Sequence, residues 1–294
     1  MTTPAEIGEL RFEKWQALGN DYLIIEREQL PLELTPSRIR KLCAPHFGIG
    51  ADGVLVLERS EAPYVARLSI FNPDGSEAEL SGNGAREAVL YLRRHGWTEE
   101  DVFSIITAAG KITPTILSPH SCRVDMGTAF LASSSYPSGT TDGHGELSAG
   151  GRRWRFQHVS VGNPQCAIHV EDLNSLRELD LPAIGPAIEN HELFPHRTNV
   201  SWYTETEPGR IRARIFERGV GETLSSGTGA TGAAVAHHLH GGGQSGSPLT
   251  VALDGGELQV EVGEELHVQL TGWARPVYEG RLSDDFVREL RETE

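Results

Sequence analysis

Two short segments of this chain carry the same residues at four of five positions. Ser81-Gly82-Asn83-Gly84-Ala85 and Ser226-Gly227-Thr228-Gly229-Ala230 each set a hydroxyl at the mouth of a glycine turn that leads into a helix-forming run. The likeness extends without gaps from Ile70–Ala88 onto Ile215–Ala233, at the constant offset of 145 residues that separates Ser81 from Ser226, with eight of nineteen positions identical. A second pair, Gly19-Asn20-Asp21 and Gly162-Asn163-Pro164, follows at an offset of 143. An asparagine corner followed by a serine-glycine helix start thus occurs twice, which predicts duplicated halves.

The chemistry of such a turn follows from its backbone. The first N–H groups of a helix have no partner within it and sit at the positive end of its dipole, so they favour a carboxylate. Glycine lets a ligand approach without a Cβ in the way. One copy alone reads as an ordinary N-cap serine. Two copies facing across a cleft set equivalent side chains on opposite faces of one bound molecule, which suits inversion at a stereocentre. One group removes the α-proton while the other delivers a proton, and the helix starts stabilise the charge that develops on the substrate carboxylate.

The elements that must position these residues are legible from pattern. Leu10 to Trp15 alternates as a strand, and after the Gly19-Asn20-Asp21 corner Tyr22 to Glu26 does so again. Pro36 to Leu42 reads as a short helix capped by Thr35, and Val54 to Glu58 and Ala66 to Phe71 as strands. A helix is expected over Arg86 to His95, ended by Gly96, then short strands at Phe103 to Ala108 and Lys111 to Ile116, and an exposed hairpin or loop from Ala132 to Gly151. Gly48 to Gly53 matches G-x-G-x-x-G, but a helix precedes it and a strand follows, the reverse of a dinucleotide site, so no nicotinamide cofactor is expected. His237, His238 and His240 close a helix, where cationic or solvated rings are expected and not a metal site. Cys166 lies in an alternating run and reads as a buried strand thiol.

Bulk properties narrow the class. A length of 294 residues predicts two domains, and 33 glycines with 16 prolines spread along the chain favour many short strands. With 26 basic against 41 acidic side chains the net charge is −15, which excludes a nucleic-acid partner. No apolar run could span a bilayer and no leader pattern opens the sequence, so no membrane partner is expected and a cytoplasmic location is. Three cysteines without C-x-x-C spacing indicate neither a disulfide framework nor a zinc site.

Taken together, Leu18-Gly19-Asn20-Asp21, Phe47 to Gly53, Phe71 to Ser76, Gly162-Asn163-Pro164, Arg197 to Val200, Glu217 to Thr223 and Thr271-Gly272 make a sequence that resembles the diaminopimelate epimerase family over nearly its whole length. The resemblance implies an α/β (α+β) fold of two pseudo-symmetric domains, each a curled, mostly antiparallel sheet around a central helix. It sets the halves at residues 1–127, with 274–294 returning to the first, and 128–273. It implies an enzyme that interconverts LL- and meso-diaminopimelate in lysine biosynthesis with no cofactor, neither pyridoxal phosphate nor metal. The implied catalytic residues are Ser81, Ser226 and Glu217, and the implied substrate shell is Asn20, Asn72, Gly82, Asn83, Asn163, Asn199, Glu217, Arg218, Gly227 and Thr228.

Against the family pattern, Ser81 and Ser226 are expected to stand at its two acid/base cysteine positions, Gln165 at a histidine and Glu87 at a further cysteine, while Gly53 stands where some members have glutamine. Changes at Gln165 and Glu87 as well favour a natural variant over an engineered one. An alcohol holds its proton far more tightly than a thiol, which titrates near about 8.5, so a serine needs help, and Glu217 is the candidate helper. Two alternatives stay open: a dehydratase or isomerase that begins with the same α-proton chemistry, and a non-catalytic amino-acid binder. The expected partner is a small amino acid; a homodimer is allowed.

Overall fold

The computed structural model describes residues 9–79 and 81–294. The amino-terminal stretch read above as lacking a leader falls partly on residues 1–8, outside those described. Two compact units divide the chain: one holds the described residues up to Cys122 together with Trp273–Glu294, the other Arg123–Gly272.

The first unit opens on a hairpin. Arg11–Ala17 pairs antiparallel with Asn20–Glu26, and the two linking residues, Leu18 and Gly19, have φ of 55° and 82°. Positive φ at both positions gives a turn whose twist matches that of paired strands. Arg275–Arg281 pairs on the outer side of Arg11–Ala17. On the inner side the chain crosses over through Pro36–Cys43, capped by the Thr35 hydroxyl, to lay Val54–Arg59 parallel to Asn20–Glu26. Tyr64–Phe71 returns antiparallel. A second crossover carries the helix Gly82–Arg94 and sets Ser104–Thr107 parallel to Tyr64–Phe71, with Gly110–Ile112 closing the sheet.

Gly82–Arg94 is the centre of this unit. Every residue from Asn83 to Leu92 is buried, which a helix on a surface would not show. On Asn20–Glu26 the faces alternate. Leu23 and Ile25 join a second core with Phe12, Ile39, Leu42, Val287 and Leu290, while Tyr22 turns to the start of the central helix.

The second unit repeats the order. Arg152–Ser160 and Pro164–His169 form a hairpin, with His144–Ala149 outside it. A crossover through Leu173–Arg177 and Leu181–Glu189 sets Asn199–Glu207 parallel to Pro164–His169, and Arg210–Glu217 returns antiparallel. The helix Gly227–Leu239 then leads to Pro248–Leu253, parallel to Arg210–Glu217, followed by Gly256–Val262 and His267–Trp273. This helix is buried from Gly229 to His237 and lies close against its sheet: a Cβ at Gly229 would stand 2.7 Å from Ile215 Cδ1, and one at Gly232 2.8 Å from Gln165 Cβ. Both units are therefore α/β domains of like build, a mixed sheet around a central helix, as the resemblance implies.

Several local expectations change. The first central helix begins at Gly82 and not Arg86, because Ser81 caps it and tertiary burial offsets the poor propensity of its glycines. Lys111 to Ile116 is split at Thr113-Pro114 into two short strands. Residues 132–151 are not wholly exposed, since Tyr136, Leu147 and Ala149 enter the core of the second unit. His237 is not a solvated cation: its ring is buried beneath Gly242, and burial lowers its pKa and that of His240.

Candidate active site

In the first unit Ser81 holds the cap of the central helix. Its Oγ accepts the Gly84 N–H at 3.1 Å and the Tyr22 phenol at 3.2 Å. A hydroxyl oxygen has two lone pairs, so both are engaged and the Ser81 hydrogen is left to donate elsewhere. The asparagine corner is tied to the same helix turn. Asn83 Nδ2 donates to Asn20 Oδ1 at 3.1 Å, and Asn20 Nδ2 to Asp52 Oδ2 at 2.9 Å, which also accepts the Asp21 N–H. Behind this turn the fully buried Arg86 donates to Gly82 O at 3.2 Å and to Asn83 Oδ1 at 2.5 Å.

Burial dominates the charges here. Asp52 is raised above the usual carboxylate range chiefly by desolvation, against the hydrogen bonds it accepts. Glu87, one residue past Arg86, is fully buried, and desolvation raises its pKa well above the usual carboxylate range, although the Arg86 charge and the Tyr22 backbone pull the other way.

The second unit repeats the scaffold with different chemistry. Ser226, 4% exposed, caps its helix by accepting the Gly229 N–H at 3.2 Å. Its hydroxyl donates to Glu217, whose Oε1 also accepts Thr223 Oγ1 at 2.8 Å. Burial raises the Glu217 pKa and those two hydroxyls partly oppose it. The asparagine corner again reaches the helix: Asn163 Nδ2 donates to Thr228 Oγ1 at 3.2 Å, and Gln165 Nε2 to Asn163 Oδ1 at 2.7 Å. Asn199 Oδ1 accepts the Arg218 N–H at 2.9 Å and so fixes the turn that follows Glu217.

Of the residues picked out from sequence, Asn20, Ser81, Gly82 and Asn83 gather at one helix start, and Asn163, Ser226, Gly227, Thr228 and Glu217 at the other. Asn72 stands apart from the first network, bonded to Ser76 within its own turn, and Arg218 reaches back to His196 O. Glu217 and Arg218 are not the surface pair that charge alone suggests. Sequence reasoning missed Tyr22, Asp52 and Thr223. For Tyr22 a signal existed, since it lies two residues from Asn20 on one strand and so shares its face. Among the described residues no group of three or more His, Cys, Asp or Glu is arranged to hold a metal, and no helix is long and apolar enough to cross a membrane.

Comparison with known proteins gives concordant matches. The family model described as diaminopimelate epimerase matches residues 12–131 and 157–277. A diaminopimelate epimerase of Synechococcus sp. (strain JA-3-3Ab) is 39% identical over 286 residues, 94% of this chain and 99% of that protein. One from Pelotomaculum thermopropionicum is 40% identical over 280 residues, 92% of this chain and 98% of that one. Among solved structures, a Bacillus anthracis phenazine biosynthesis protein of the PhzF family superposes with a TM-score of 0.67 at 17% identity, covering 94% of this chain and 99% of the other, a likeness of fold.

These matches correct one expectation. A family member marked out by serine in place of both catalytic cysteines is not what they support: they carry the family, and the chain retains intact cysteines at 43, 122 and 166. The doubt that this expectation cast on activity falls with it. All three thiols are buried; Cys43 and Cys122 are pushed up to about 12, chiefly by desolvation, and Cys166 is raised by the same cause.

Proposed function

Because the chain belongs to the diaminopimelate epimerase family of cofactor-independent epimerases and isomerases, we propose that it inverts the α-carbon of diaminopimelate by proton removal on one face and proton delivery on the other, with Ser81 and Ser226 as the acid/base hydroxyls. The observation that carries this reading is the duplicated cap: in each unit a serine oxygen ends a buried helix start that is tied by side-chain hydrogen bonds to an asparagine corner. Oriented N–H groups beside each serine suit a substrate carboxylate and the charge it gathers as the α-proton leaves.

Glu217 supplies the base character on the Ser226 side. As the serine oxygen takes the α-proton, its own hydrogen passes to the carboxylate that already accepts it, and a raised carboxyl pKa brings donor and acceptor closer in proton affinity. The substrate is left as a carbanion with its charge spread onto the α-carboxylate. Ser81 then gives its hydrogen to the opposite face, and reversal of every step serves the opposite direction.

The test is incubation of the purified protein with LL-diaminopimelate in D₂O, following the α-proton by NMR and the stereoisomers by chiral chromatography. Deuterium entering at the inverted centre together with meso product supports the proposal. Tight binding without exchange marks an amino-acid binder, and an unsaturated or keto product marks a dehydratase or double-bond isomerase.

A further inference from the structure

The two serines face unlike partners. Ser226 donates to a carboxylate, whereas Ser81 accepts from a phenol. The repeat places Gln165 where the first unit has Tyr22, since each lies three residues past the glycine of its asparagine corner. Gln165 Nε2 is directed to Asn163, so the phenol has no counterpart at the second serine.

Tyr22 is held for this contact. Its ring lies 5% exposed against Gly53, where a Cβ would stand 2.6 Å from Tyr22 Cε1. Glycine at 53 is thus what gives the ring its place, and the strand carries Asn20 and Tyr22 to the same face.

We infer that Tyr22 and Ser81 form a proton-relay dyad in which Tyr22 is a further catalytic residue. The inference rests on the two-serine reading above. When Ser81 gives its hydrogen to the carbanion, a C–H bond forms and the Ser81 O–H breaks. The Tyr22 hydrogen then moves to Ser81 Oγ, and the negative charge comes to rest on the phenolate until solvent returns a proton. An isolated alcohol holds its proton far more tightly than a phenol does, so the charge comes to rest on the weaker base when it passes to the phenol. The Gly84 N–H, aimed at the same oxygen, stabilises the charge during the transfer. The dyad thus brings an alcohol into the range useful for proton transfer near neutral pH, and Glu217 does the same for Ser226 from the acid side.

The test is Tyr22→Phe, which removes the phenol oxygen alone, assayed in both directions with LL- and meso-diaminopimelate beside Ser81→Ala. The expected result is a fall of about 100-fold or more in kcat with KM within about twofold, and loss of the alkaline limb of the kcat–pH profile. Uniform replacement of tyrosine by 3-fluorotyrosine, a more acidic phenol, should move that limb to lower pH and tests the dyad even if Tyr22→Phe folds poorly. Wild-type kcat in Tyr22→Phe, or an unmoved limb with fluorotyrosine, while Ser81→Ala is inactive, overturns the dyad and leaves the two-serine reading intact. Wild-type epimerisation by Ser81→Ala overturns that reading itself.

Discussion

Removing one serine at a time asks whether two hydroxyls share one reaction, and the two variants should differ in ways the structure sets. Ser226→Ala deletes the acceptor of the Gly229 N–H at 3.2 Å and the hydroxyl donated to Glu217. The lost cap costs roughly 0.5–2 kcal/mol, and a partly buried carboxyl deprived of one of two hydroxyl partners costs about 1–3 kcal/mol more. Ser81→Ala loses the same kind of cap, at 3.1 Å, but leaves a neutral phenol behind and no carboxylate. The expected losses are therefore about 2–4 kcal/mol and about 1–2 kcal/mol, read as Tm decreases on the order of 10 °C and 5 °C. Epimerisation should fall by about 10²- to 10⁴-fold in each, or about 3–5 kcal/mol on the barrier. The decisive assay is α-proton exchange in D₂O with LL- and meso-diaminopimelate supplied separately. A remaining serine can still remove and return a proton on its own face, so each variant should exchange one stereoisomer without inverting it, and the two variants should choose opposite stereoisomers. A folded variant that inverts either substrate at the wild-type rate, or variants that exchange the same stereoisomer, would refute the two-base reading.

Further perturbations probe the surroundings. Glu217→Gln should lower kcat by about 10²-fold or more and remove the acid limb of the kcat–pH profile, which in the wild type should lie above the ordinary glutamate value of about 4.3 because burial raises the carboxyl. Glu87 has a folded-state pKa raised above its unfolded value, so its contribution to stability is full at low pH and is lost as pH rises toward the folded value. Urea titrations across a pH series should show that decline in the wild type and a flatter curve in Glu87→Gln. Gly232→Ala brings a Cβ to 2.8 Å from Gln165 Cβ, and despite the better helix propensity of alanine it should cost about 1–3 kcal/mol, measured as a lower urea midpoint.

Much of the framework was legible because its determinants are local. A capping serine ahead of a helix-forming run, a glycine-asparagine corner between alternating segments and a repeat at fixed offset can each be read within a few residues, and they placed both serine-glycine turns and the first hairpin. Where local reasoning failed, burial had overruled it. The helix beginning at Gly82 contains glycines that propensity would exclude, and burial beneath Gly242, which no spacing announces, lowers the pKa of His237. Comparison with the family pattern also misled, since it suggested an exchange of cysteine for serine that the whole-length matches do not support.

The sequence by itself determined that this is a duplicated α/β protein with two like helix starts, because repetition and alternation are properties of the order of residues. Only the tertiary structure decided that the two starts are chemically unlike. Tyr22 meets Ser81 across 59 residues of chain, and Glu217 reaches Ser226 through the fold of a neighbouring strand. Which group a hydroxyl meets depends on how strands and helices pack, and packing also removes the water that would otherwise level the proton affinities of a phenol, a carboxylate and an alcohol.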